Sequence, residues 1–145
     1  MRTTDAHTLG PRLDWAGLAL TAAIVELALT TAYIHLSLGG ILFALNAACY
    51  VALALGLFGA SVMPHPMVAR FAWLPRVALA GFTLVTLTAY LVIGPYFSLG
   101  WIAKAVEVAI LMLLAADMVR VYGSPRGLVS AAIASILRGG RATPA

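Results

Sequence analysis

Four apolar stretches, each about as long as a bilayer is thick, constrain this chain more than any other feature. They lie at 15–36 (WAGLALTAAIVELALTTAYIHL), 39–60 (GGILFALNAACYVALALGLFGA), 77–93 (VALAGFTLVTLTAYLVI) and 99–121 (LGWIAKAVEVAILMLLAADMVRV). A helix needs roughly 20 mostly apolar residues to cross the hydrocarbon core. None of the stretches alternates as a strand would. Helices satisfy their backbone groups internally, which lipid demands. The expected fold is all-α: a four-helix transmembrane bundle built as two antiparallel hairpins, with a short C-terminal amphipathic surface helix.

Composition closes off a soluble alternative. Of the 145 residues, 63% are hydrophobic and 10% charged, and the mean hydropathy is +1.01. Soluble domains run at about 45–50% apolar and about 25% charged. A globule of this length has too little interior to hide that much apolar surface. The domain reading is a tail at 1–14, the bundle at 15–121, and an interfacial helix and tail at 122–145.

Charge sets the threading. Arg2 and Arg12 precede the first stretch. Arg70 and Arg76 separate the second from the third, and Arg120, Arg126, Arg138 and Arg141 end or follow the fourth. The other two connections, around Ser37-Leu38 and 94–98, carry no basic residue. The positive-inside rule then predicts both termini in the cytoplasm, in a bacterial-type inner (plasma) membrane. The net charge of +4 reads as this topology signal and as a hold on anionic lipid. Scattered arginines at a membrane edge do not suggest nucleic-acid binding. The first stretch is too long for a cleavable leader and is expected to act as its own insertion signal.

Smaller signals organise the rest. GSPRGLVSAAIASILRGG predicts a helix capped by Ser124, with Pro125 in its first turn and Gly139 at its end. Its Leu128, Val129, Ala132, Ile133, Ile136 and Leu137 share one face, fit for a membrane surface or a partner subunit. The hairpins look weakly repeated: both contain Thr-Ala-Tyr and then Ser-Leu-Gly, which matches Gly39 to Gly100 and Asn46 to Glu107. The lone Cys49 is expected to be a small buried filler. Gly17, Ala22, Ala47, Ala48 and Gly81 would let helices approach closely.

Ionisable and polar residues inside the stretches are the candidate site. A charge at mid-helix costs about 2.5–3.5 kcal/mol on insertion scales and is a functional hypothesis by default. Glu26 sits near the middle of the first stretch and shares a face with Thr30 and Tyr33. Thr83, Thr86 and Tyr90 form a similar stripe on the third. Lys104 and Glu107 are three apart on the fourth, on one face; His35 stands at the outer end of the first, and Asn46 lies in the second. In the structural reading, Lys104 neutralises Glu107 or Glu26 and Asn46 bonds between helices. In the functional reading, these groups line an open cavity and one glutamate binds a proton or cation, its affinity tuned by Lys104. Lys104 is also shallow enough to snorkel outward. Asp117 with Arg120 reads as a surface ion pair.

MPHPM, residues 63–67, raises a metal reading. Met63 and Met67 flank His65, and thioether and imidazole ligands suit copper. Prolines would hold the segment extended, so that alternate side chains point the same way. No second histidine or cysteine lies nearby, and the plainer reading is a stiff loop. His7, His35 and His65 make no paired haem ligands, and neither nucleotide-binding nor hydrolase motifs occur. No cofactor and no free-standing catalytic activity are expected. Two roles follow: an accessory or scaffold subunit of a larger membrane complex, or a homo-oligomeric proton- or cation-coupled carrier or channel using Glu26, Glu107 and Lys104. The expected partners are the bilayer and either other membrane subunits or further copies of the chain.

Overall fold

The computed structural model describes residues 14–137. It is helical throughout: α1 (Trp15–Ser37), α2 (Ile41–Val62), the single-turn α3 (Pro66–Arg70), α4 (Trp73–Ile93), α5 (Ser98–Tyr122) and α6 (Pro125–Leu137). No strand occurs among the described residues. The four long helices run up and down in a ring, α1 beside α2, α2 beside α4, α4 beside α5, and α5 back against α1. Cross-helix pairs fix the antiparallel sense: Thr21 meets Ser61, Arg76 meets Asp117, and Thr86 meets Glu107. One end of the ring gathers the described arginines of the long helices and of α3; the opposite end holds the two short turns.

By length and composition, α1, α2 and α4 can each cross a membrane. The chain is therefore a membrane protein. The longest helix, α5, carries Lys104, Glu107, Asp117 and Arg120. Its first three charges are buried inside the ring, and it turns Ile102, Val108, Met112 and Val119 outward. Large apolar side chains thus cover the outside of the bundle as well as filling its core, and most ionisable groups of the long helices are turned inward. Ile24, Ala28, Tyr50, Ala54, Leu57, Leu79, Ile110 and Leu114 form the central core.

Helix ends differ from the expected limits for local reasons. α2 begins two residues later than the apolar stretch does, because Gly39 and Gly40 make the turn at φ +74° and +85°. Side chains rarely adopt that region, and glycine enters it freely. α4 begins four residues earlier than expected, at Trp73. Pro75 lies in its first turn, where a missing N–H removes no helical bond. α1 is capped by Asp14, whose Oδ1 accepts from Gly17 N–H at 2.9 Å.

The proposed hairpin repeat fails in register. Gly39 is a turn residue, whereas Gly100 lies inside α5, where Tyr90 closes over it and a side chain would collide with the ring. Cys49 is exposed on the outer face of α2 rather than buried. Gly81 meets no neighbour and mediates no close packing within the chain. The expected α6 is present, with Ser124 Oγ accepting from Gly127 N–H at 3.1 Å. Its expected end at Gly139 lies outside the described residues, as do His7 and the arginines at 2, 12, 138 and 141.

α6 is tied back onto the bundle by one serine. The Ser135 hydroxyl accepts from Trp73 Nε1 at 2.9 Å, and its carbonyl accepts from the Arg70 guanidinium. The expected apolar face is split by this docking. Leu128 and Ala132 turn partly inward, while Val129, Ile133, Ile136 and Leu137 remain exposed.

Candidate functional site

The buried polar groups gather in two clusters, one at each end of the bundle. At the turn end, α5 presents Gly100, Ala103, Lys104 and Glu107 on its inward face, a spacing of three and four that keeps them on one side of a helix. Glu107 is fully buried. Lys104 Nζ lies 2.6 Å from both of its carboxylate oxygens and 5.3 Å from the centre of the Tyr90 ring. Lys104 is itself buried and does not snorkel outward. The attraction of a carboxylate three residues away in low dielectric outweighs hydration at the edge of the bilayer.

Three further helices complete the cluster. Thr86 Oγ1 on α4 stands 3.1 Å from Glu107 Oε2 and 2.9 Å from the Thr83 carbonyl, so its one proton serves one acceptor at a time. The Tyr50 hydroxyl on α2 is 2.9 Å from Thr86 Oγ1 and acts as the donor. On α1, His35 Nδ1 is 2.7 Å from the Thr31 carbonyl. A carbonyl only accepts, so Nδ1 carries a proton, and Nε2 lies 3.7 Å from Glu107 Oε1. A cavity of about 400 Å³ lies beside this network, with His35, Asn46, Thr86 and Lys104 as its polar lining. Asn46 Oδ1 is buried without a hydrogen-bond partner.

At the arginine end, Asp117 is fully buried rather than a surface group. Arg76 Nε binds its Oδ2 at 2.7 Å and Arg120 Nη2 its Oδ1 at 2.8 Å. Arg120 also pairs with Asp14, so one arginine clamps the start of α1 to the end of α5. Two guanidiniums and two carboxylates leave this cluster neutral.

The structure divides the sequence-predicted residues into three groups. His35, Asn46, Tyr90, Lys104 and Glu107 come together at the turn-end cavity. Glu26 and Tyr33 do not join them. They face outward, Tyr33 at 74% exposure, along a groove lined by Ala22, Val25, Glu26, Leu29, Thr30, Tyr33 and Phe58. The reason is helical phase: Glu26 falls two residues from the buried Ile24 and Ala28, about 200° round the helix. Lys104 therefore neutralises Glu107 and is not Glu26's partner.

MPHPM forms the third group, outside both clusters. Met63 and His65 are extended, but Pro66 starts α3, so Met67 lies in a helical turn rather than continuing an extended run. Proline's fixed φ is pre-set for a first helical position. His65 Nδ1 accepts from the Met67 N–H at 3.2 Å, which makes the imidazole a helix cap. All three side chains are exposed. Among the described residues, no set of three or more His, Cys, Asp or Glu side chains is arranged to hold a metal ion.

Sequence reasoning missed Tyr50, Arg76 and the depth of Asp117. Tyr50 lies on the face of α2 shared by Ala47, Ala54 and Leu57, all buried, a spacing that was legible. Arg76 was counted only as a topology charge. No family model, curated protein or solved structure matches the chain.

Proposed function

We propose that the chain is an accessory or scaffold subunit of a larger membrane complex, joined to a foreign membrane helix through the outward face of α1 and α2. The observation that carries this reading is the position of Glu26. It is the middle residue of the 23-residue α1, and it is exposed on the outside of the bundle. Intramembrane carboxyl groups characteristically face a bundle interior or pair with another polar group. Among the described residues, Glu26 has neither arrangement.

The face beside it suits a helix. Ala44, Ala48 and Ala52 recur every fourth residue along the neighbouring groove of α2, and small residues at this spacing let backbones approach closely. The partner would carry a cation or a hydrogen-bond donor at mid-bilayer depth. Among the described residues, a second copy of this chain offers no cation there, only the hydroxyls of Thr30 and Tyr33 on the same face. Among the described residues, Arg70, Arg76, Arg120 and Arg126 lie at or beyond the arginine end, and Lys104 and His35 are buried. The arginine end is assigned to the cytoplasm by the positive-inside rule. The exposed apolar stripe of α6 then lies on that surface of the bilayer or against the same partner.

The test is gentle extraction from the native membrane, for wild type and Glu26→Leu, with every co-purifying chain identified by mass spectrometry. A foreign chain in fixed stoichiometry, lost from Glu26→Leu, is expected. A second reading, a homo-oligomeric proton- or cation-coupled carrier or channel, is favoured by the Lys104–Glu107 pair beside a cavity. It retains Lys104, Glu107 and His35 but not Glu26 as its site. Proton or cation flux in liposomes that Glu107→Gln abolishes would move the assignment to it.

A further inference from the structure

We propose that the turn-end cavity binds a neutral, mostly apolar small molecule whose hydroxyl or carboxamide head hydrogen-bonds to Asn46. Three observations carry this, and none depends on the subunit role.

The first is the order of polarity along the cavity. Its polar lining comes from the buried His35 and Lys104 and the half-buried Asn46 and Thr86, on four different helices, beside the buried Gly100 and Ala103. Its outer rim is apolar, with Leu38, Ile93, Pro95 and Phe97 from the turns and helix ends. An ion arriving from water meets hydrocarbon first. An amphiphile already at the edge of the bilayer meets a rim like its own body and a floor that takes its head group.

The second is the charge of that floor. Lys104 and Glu107 cancel each other at 2.6 Å, and the His35 ring spends its Nδ1–H on the Thr31 carbonyl. A charged ligand would lose its hydration with no opposite charge in reserve. A neutral ligand avoids that cost.

The third is unused hydrogen-bonding capacity. Lys104, Glu107, Thr86 and Tyr50 bond among themselves. The Asn46 carboxamide makes no side-chain bond, and its oxygen is buried and unpartnered. A half-turn about the Cβ–Cγ bond exchanges its oxygen and nitrogen, so the group shows the cavity either a donor or an acceptor. A hydroxyl or a carboxamide, which both donates and accepts, matches either orientation. A volume of about 400 Å³ falls within the range of small-molecule sites, about 300–1,000 Å³.

The test uses the full chain in nanodiscs of phosphatidylcholine and phosphatidylglycerol, with empty discs as the blank. Equilibrium dialysis compares 1-naphthol with naphthalene, the same ring system with and without a hydroxyl. Wild type is expected to bind one 1-naphthol per chain, saturably and at least tenfold tighter than naphthalene. Asn46→Leu should bring the two compounds to parity without lowering the melting temperature, because it removes an unpaired polar group. Ala89→Trp, which fills the cavity from α4 without touching its floor, should abolish saturable binding of both. The proposal is overturned if wild type holds no more 1-naphthol than empty discs, or if Asn46→Leu keeps the tenfold preference. Equal saturable binding of the two compounds by wild type also overturns it and makes the cavity a niche for a lipid chain.

Discussion

Glu107 can be buried because Lys104 is buried with it. Neutralising one partner alone leaves the other uncompensated in low dielectric, which typically costs about 3–5 kcal/mol, whereas replacing both with apolar residues of similar size is often neutral. Lys104→Met should therefore lower the thermal stability of the detergent-solubilised protein strongly. The double variant Lys104→Met/Glu107→Leu should recover most of the loss. A double variant no more stable than the single one would show that the pair is not self-compensating. The i,i+3 spacing made this pair legible in the sequence. The outward placement of Glu26 was not legible, because both faces of α1 carry polar residues in an otherwise apolar helix: Thr21, Thr31 and His35 on one, Glu26, Thr30 and Tyr33 on the other. Periodicity separates these two sets correctly. It does not say which set is inside when lipid and protein interior are equally apolar.

At the scale of elements, the four long helices were readable from length and hydropathy, and their limits moved only where local chemistry intervened. Gly39 and Gly40 delay α2, and Pro75 is absorbed into the first turn of α4. The docking of α6 was not readable. Its amphipathic pattern fixes a face but not what covers it, and the contact rests on one polar residue, Ser135, among alanines. Trp73→Phe removes the donor to Ser135 Oγ. A lost side-chain hydrogen bond is worth about 1 kcal/mol, so amide hydrogen exchange through α6 should quicken about fivefold, while α1 and α5 stay unchanged. Uniform acceleration across all helices would mean that α6 does not open as a separate unit. The Arg76–Asp117–Arg120 cluster acts at the same scale by joining α4 to α5, and Arg120 carries the link on to the cap of α1. Asp117→Leu leaves the buried Arg76 without a carboxylate, and its melting temperature should fall further than that of Asp14→Ala, which removes a half-exposed contact.

Among the described residues, the bundle holds an ion-paired polar cluster at each end of an apolar core and one carboxyl group, that of Glu26, unpaired on its outside. The buried carboxylates of the end clusters are paired among the described residues. Glu26 is not, and it sets the expectation for assembly. On its own, a mid-membrane glutamate facing lipid is a liability of about 2.5–3.5 kcal/mol on insertion scales. Glu26→Leu should therefore leave the isolated chain at least as stable as wild type while removing its association. The decisive measurement is the native mass of wild-type and Glu26→Leu protein, each extracted gently from its own membrane. The expected result is a stoichiometric foreign chain with wild type and a mass of 15.1 kDa for the variant. Wild type alone, or at a small multiple of that mass with no foreign chain, would contradict the assignment.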